Sequence, residues 1–437
     1  MREIELAHRN GSGRAEGAQN SSAQATPITR AQACEIPVSS HAEMDIRLLR
    51  EGDVFRPPFC PNTQCRCHQL ASGDYRRYMR WGYHWNACFG AIQRYRCREC
   101  GRSFSEMSFS IDYYCKRKVD CRHVENSICE GSGVRATARS LAVSTGTVAN
   151  RVQRLARGAF VSLLWLNLRL DQSESLAFDG FRSFCTSQHA PCDLTHLIGR
   201  ESDYVYSFDF APLRRGGRMR EAQKRSRAHF ERLMRADPRA SEHSARRVYD
   251  TIIRMGRWPA DTQRAREIWS DEHHAYRDAW NNHEAMQQMQ YRGWVRRRTV
   301  SSLASRTKAN PLRAVNYFDR EIRKDLADHR RESVCFARCP YDMLARFAVY
   351  VVHHNMDKPR RVRGSRSPKP AERVARSHAV AAGARPRTVA ELQLWRGCYR
   401  AFASRVCLSE FARTWWFGLI PAQPDRRYPH VPQYALG

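Results

Sequence analysis

The chain has 437 residues, enough for two to four domains with a substantial buried core. Its 74 Lys and Arg outnumber 44 Asp and Glu, giving a formal charge of +30, which argues against an ordinary metabolic enzyme and for a polyanionic partner. The excess is mostly arginine, which forks onto phosphates and guanine edges, so nucleic acid is a better match than a membrane surface.

Residues 1–50, rich in Gly, Ser, Ala, Gln and Arg without sustained periodicity, are expected to form a disordered arm. Residues 51–115 carry a metal knuckle. Cys60 and Cys65 supply one half, and Cys97 and Cys100, in Cys97-Arg98-Glu99-Cys100, supply the other. Four thiolates at this spacing satisfy tetrahedral Zn2+, which stabilises a small fold. Cys67 and His68 stand as alternatives to Cys65. A redox Cys-x-x-Cys is the competing reading, but it does not explain the matching upstream pair. Tyr83, Trp85 and Arg94-Tyr95-Arg96 would form the short strands of a zinc ribbon. Cys185, Cys192, Cys335, Cys339, Cys398 and Cys407 are expected as small buried hydrophobes.

Residues 116–170 predict a helix-turn-helix and a linking helix. A helix over 134–142 carries Arg135 and Arg139, a turn follows over 143–146, and a second helix runs from Thr147 to Leu155. Thr147, Asn150, Arg151 and Arg154 are assigned to its DNA-reading face, although a plain helical hairpin has the same pattern. Double-stranded DNA is the expected partner.

From 171 to 356 the pattern alternates between strand and helix. Strands are expected at 175–184, 194–199, 204–212, 267–271 and 291–301. A basic, solvated helix is expected over 219–255, another from 271 through Trp280, and a long helix over 315–335 with the apolar stripe Val315, Phe318, Ile322, Leu326. Asp319 lies roughly 55° from the centre of that stripe, at ~100° per residue. A Pro-, Arg- and Ser-rich linker over 357–387 and a helical segment over 388–437, with Trp395, Trp415 and Trp416, complete the chain.

One acid in the first strand, one ending a later strand and one on a following helix suggest an α/β fold with a ribonuclease-H-like mixed sheet. In-line attack on a phosphodiester is served by hard cations such as Mg2+, which prefer carboxylates. Asp179, Asp271 and Asp319 are the candidate ligands. Asp179 sits in an apolar run, where burial without a partner is costly. Asp271 alone reads equally well as a helix N-cap, and Asp319 as a surface acid.

The run from Cys60 to about Arg157, including Gly133-Val134-Arg135-Ala136-Thr137-Ala138-Arg139-Ser140-Leu141-Ala142-Val143, resembles the DNA-binding half of the insertion-sequence-one transposases. Residues 331–338, Arg-Glu-Ser-Val-Cys-Phe-Ala-Arg, are similar to the end of that family's last catalytic helix. The resemblance covers roughly 60–355. It implies a DDE transposase, with a ribonuclease-H-like domain that cuts and joins transposon ends with Mg2+, cytoplasmic and nucleoid-associated in a bacterium. Because transposition needs two ends held together, a dimer or larger homo-oligomer is a further expectation, with no heptad or other interface signal in the sequence. No apolar run of membrane-spanning length occurs. An ungapped comparison from Phe336 puts Asn316 at the family's catalytic glutamate, with Asp319 one turn on and Glu332 as a third choice. A transposase-derived DNA-binding regulator without catalysis is the alternative.

Overall fold

The computed structural model describes most of residues 57–358, with breaks at 58–59, 63, 70–74, 110–111, 113, 170–173, 234, 256–264 and 331–334, together with Pro370 and Arg373. The arm over 1–50, nearly all of the basic linker, the C-terminal helical segment and Glu332 lie outside the described residues.

Strands β1 (Tyr78–Asn86), β2 (Gly90–Cys97) and β3 (Ser103–Ser105) form an antiparallel sheet in the order β1-β2-β3. Its core is small: Tyr78, Tyr95 and Phe104 close over Cys60, Cys65, Cys67 and Cys97. Phe104 meets Tyr78 edge-on at 5.8 Å and stacks on Tyr95 at 6.0 Å. In β1, Arg80 pairs with Tyr95 but Tyr83 pairs with Gln93. Trp81 and Gly82 therefore oppose the single Arg94, a bulge made possible by the positive φ of Gly82, 68°.

Three helices follow: α1 (Cys121–Cys129), α2 (Val134–Ser140) and α3 (Thr145–Arg169). Asp120 caps α1 by accepting the Arg122 and His123 N–H groups. The turn between α2 and α3 is earlier than the sequence suggests. Ala142 takes the positive φ, 51°, while Gly146 lies in the first turn of α3. Ser144 Oγ accepts the Thr147 N–H at 3.1 Å, satisfying one of the unpaired donors at the start of α3. The second helix does not stop at 155; it absorbs the linking segment and reaches Arg169.

The larger sheet is mixed. Strands β4 (Leu176–Phe184), β5 (Pro191–Gly199) and β6 (Val205–Pro212) run antiparallel, and helices α4 (Glu221–Leu233) and α5 (Ala240–Met255) lead to β7 (Arg266–Asp271). Helices α6 (His274–Asn281) and α7 (Glu284–Tyr291) precede β8 (Val295–Val300). The order is β6-β5-β4-β7-β8, with β7 parallel to both β4 and β8. The class is therefore mixed α/β, as expected. Edge strand β8 carries Arg296, Arg297 and Arg298, charges that discourage pairing with another chain.

Helices α8 (Arg313–Asp325) and α9 (Pro340–Met356) complete the described fold. Opposite sides of β5 face different helices. Thr195 bonds Ser244 of α5, whereas His196 packs on Phe318 of α8 at 5.1 Å. Because side chains alternate along a strand, α5 and α8 cover opposite faces of the sheet. Both faces being covered explains why β5 and β6 are buried almost throughout.

Three expected elements are corrected. The single helix over 219–255 is two, separated around Asp237-Pro238, because proline cannot continue a helix ladder. Its second half is not solvated, since Ala245, Val248, Tyr249 and Ile252 are buried in the core. Residue 291 ends α7, and the basic strand begins at Val295. The long helix stops at Asp325, where Leu326 turns extended with ψ 118°. Tertiary bonds outweigh helix periodicity there: Asp328 takes Arg346 and His329 takes Ser183. Of the cysteines expected to be buried, Cys185 and Cys192 are, but Cys339 is half-buried and Cys335 exposed, while Cys398 and Cys407 lie outside the described residues. No helix of the described residues is long and apolar enough to cross a membrane.

Candidate active site and metal centre

Cys60, Cys65, Cys97 and Cys100 converge, their sulfurs all within 4.8 Å of one another. The Cys60 and Cys100 sulfurs are 3.5 Å apart, and those of Cys65 and Cys97 are 3.8 Å apart. Cys67 is outside this set; its sulfur lies 3.9 Å from Arg77 Nη1. Burial pushes the Cys60 thiol far up and the Cys65 thiol to about 12. Burial acts the same way on Cys100, but hydrogen bonds from the Arg102 backbone, Asn62 and neighbouring thiols bring it down to about 7. A four-thiol pocket closed by two tight turns suits a soft tetrahedral cation, so this cluster could hold a metal such as zinc.

The three aspartates come from three elements. Leu176 pairs with Ile268 and Ala177 with Trp269 in the parallel β4–β7 ladder. At the same offset, Asp179 comes level with Asp271 on the same side of the sheet. On the other neighbour, Asp179 is directly opposite His196 of β5. Asp319 of α8 reaches this row from above, with its Oδ1 3.0 Å from His196 Nε2, though not aligned as a hydrogen bond. His196 is fully buried, and its Nδ1 lies 3.0 Å from the Leu194 carbonyl.

Asp179 Oδ1 accepts the Gly180 N–H at 2.7 Å and the Tyr276 hydroxyl at 3.2 Å. Burial, together with the negative charges of Asp271 and Asp319, pushes its carboxyl up to about 7. Asp179 thus feels the charge of both other acids. Their oxygens do not all lie within 4.8 Å of one another, as those of a closed metal site would. Asp271 is not the N-cap of α6, because His273 occupies that position; Asp271 instead accepts the His273 N–H at 3.0 Å.

Two residues of this site escaped the sequence reading. His196 carries a signal, a lone imidazole inside the run Leu194-Thr195-His196-Leu197-Ile198, but it gains meaning only from its pairing with Asp179. Tyr276 reads as an ordinary apolar-face residue of α6, and nothing in the sequence reveals that its hydroxyl reaches Asp179. Asn316 is half-buried one turn before Asp319, and it is Asp319 whose charge acts on Asp179.

The expected DNA-reading face divides. Arg135 and Arg139 are exposed, and Thr147 and Asn150 are half-buried. Arg151 and Arg154 are corrected: each is only 2% exposed. Val148, Arg151, Val152, Leu155 and Ala159 fall on one helical stripe, so both arginines point inward or to its edge. Arg151 Nη1 lies 3.0 Å from Asp112 Oδ1, and Arg154 Nε donates to Asn150 Oδ1 at 2.8 Å. Arg151→Ala is accordingly expected to lower stability by about 3 kcal/mol, the cost of breaking a buried pair, in urea unfolding. Arg135→Ala and Arg139→Ala, at exposed positions, should stay within about 0.5 kcal/mol of wild type. Unchanged stability in Arg151→Ala would reject the structural role.

A second group of metal-capable side chains, Glu125, His353 and Asp357, joins α1 to the end of α9. His353 Nδ1 lies 3.4 Å from Glu125 and 3.8 Å from Asp357, an arrangement that an imidazole between two carboxylates already accounts for. No family model matches this chain, and no curated protein matches it significantly.

Proposed function

We propose that the chain is a DNA strand-transferring enzyme of the DDE type, resembling the insertion-sequence-one transposases. The observation that carries this reading is the row of Asp179, Asp271 and Asp319, drawn from two parallel strands and a helix, in which desolvation first and the charges of the other two acids second raise the Asp179 carboxyl to about 7. Three half-buried carboxylates brought onto one side of the sheet are a donor set that suits a hard divalent cation. Further support comes from the order β6-β5-β4-β7-β8 with three antiparallel strands and two parallel ones, the arrangement expected of a ribonuclease-H-like core.

Asp179, Asp271 and Asp319 would hold Mg2+, which when bound supplies charge neutralisation at the phosphoryl oxygens and a more reactive attacking oxygen. Tyr276 holds the Asp179 carboxylate through its hydroxyl, and the His196 ring lies beside Asp319 at 3.0 Å. The four-cysteine knuckle would carry zinc, and the exposed Arg135 and Arg139 would contact double-stranded DNA at the transposon ends. Joining needs two ends held together, which favours a dimer or larger assembly.

The test is Mg2+-dependent cleavage of a DNA fragment bearing the gene's own flanking ends. Asp271→Asn and Asp319→Asn should each lose cleavage by about 10³-fold, several kcal/mol of lost charge stabilisation, while end binding persists. Wild-type protein that binds these ends but never cuts them would instead favour a DNA-binding regulator.

A further inference from the structure

We infer that the β1–β2 hairpin is a stacking platform for unpaired nucleobases. Large exposed hydrophobics are few among the described residues, and three of them, Trp81 (42% exposed), Tyr83 (68%) and Trp85 (74%), fall within five consecutive positions of one strand. Every residue from Trp81 to Trp85 is exposed, so this half of β1 buries neither of its faces. These rings therefore do not serve the small knuckle core, which Tyr78, Tyr95 and Phe104 fill. Scattered apolar residues on a surface need no explanation, but such a concentration marks a binding surface.

The bulge decides how the rings are presented. Past Gly82, Tyr83 comes opposite Gln93 and Trp85 opposite Ala91, which places both rings on one side of the hairpin. Ala91 is too small to cover its neighbour. Alternate residues on a strand stand about 6.8 Å apart, twice the ~3.4 Å step between stacked bases, so one base fits between the two rings. Trp81 is turned to the other side, where the Arg96 guanidinium lies 4.8 Å over its ring.

Charge selects the occupant. Between residues 76 and 102 there are seven arginines, Arg76, Arg77, Arg80, Arg94, Arg96, Arg98 and Arg102, and one acid, Glu99. Aromatic rings set among arginines match a phosphodiester strand whose bases are free to stack. Base faces inside a duplex are already stacked and closed to these rings, so the ligand is single-stranded or locally opened nucleic acid. This inference does not depend on the strand-cleavage reading, because it needs no metal at the aspartates.

The test uses the full-length protein without Mg2+ and fluorescently labelled oligothymidine, a duplex of equal length, and the same duplex with an unpaired terminal stretch. Tyr83→Ala with Trp85→Ala is expected to weaken binding to oligothymidine and to the opened duplex by at least ~10-fold, the worth of stacking one base, and to the closed duplex by less than about 2-fold. Trp85→Phe should restore most of the loss. Because the rings are exposed, zinc content and melting temperature should match wild type, so a failed fold is recognisable. Equal losses on all three probes, or no loss on any, would overturn the proposal. So would wild-type self-association by sedimentation that the double variant abolishes, since the face would then belong to a second copy.

Discussion

Asp179→Asn is expected to abolish strand cleavage and, at the same time, to raise the melting temperature at pH 8. The two effects have one cause. Desolvation of the half-buried Asp179 carboxyl, and then the charges of Asp271 and Asp319, push it up to about 7 from an unfolded value near 3.9. A group raised in this way contributes nothing unfavourable below about pH 4, where it is protonated in both states. Stability is lost as pH rises from about 4 through 7, and above 7 the folded chain bears the full cost of the buried charge. Asparagine removes the charge while its carbonyl can still accept from Gly180 N–H and the Tyr276 hydroxyl. Relief equivalent to even one pKa unit, ~1.4 kcal/mol, corresponds to about 3 °C for a domain of this size. The gain should shrink to nothing near pH 4. Mg2+ should raise the melting temperature of the wild type at pH 8 and leave the variant unmoved. A variant that melts lower at pH 8 would mean that the carboxylate is a satisfied structural group and not part of a metal site.

Cys97→Ser is expected to release one zinc per chain and to unfold the knuckle. The sheet β1-β2-β3 has three aromatic side chains and its cysteines for a core, far less buried apolar surface than an independent fold of this size requires. The missing stabilisation is what a tetrathiolate metal provides, about 10 kcal/mol or more in small zinc modules. Metal analysis and limited proteolysis would read the two effects together, with cleavage appearing between residues 78 and 105. Cys67→Ser should keep its zinc, because the Cys67 sulfur lies outside the converging set. A protein purified without metal whose hairpin resists protease would contradict the structural-metal reading.

Much of this arrangement was legible in the sequence, for physical reasons that also explain the failures. The cysteine pairs were readable because metal ligation imposes spacing, and the strand alternation was readable because burial imposes periodicity. Asp179 stood out because an acid in an apolar run is expensive. Arg151 and Arg154 are buried despite their charge, and for Arg151 the stripe through Val148, Val152 and Leu155 already carries that signal in the sequence. The end of α8 was invisible because Asp325-Leu326-Ala327-Asp328 contains no helix breaker. Its termination comes from Arg346 and Ser183, partners distant in sequence. His196 and Tyr276 acquire their roles only through the register of β4 with β5 and the docking of α6, neither of which a single sequence specifies.

The continuity of α3 has a mechanical consequence. Its 25 residues, at a rise of ~1.5 Å each, make a strut of roughly 37 Å, beginning at the turn beside Arg139 and ending where Asn167 bonds the Tyr206 carbonyl of the large sheet. Where a flexible tether would allow a range of reaches, a helix fixes one. In the proposed reading, the arginine-bearing helices are thereby held at a fixed reach from the large sheet that carries the aspartates. The protein would then act as a gauge, with the place of cutting decided by the length of a helix as much as by the bases it recognises.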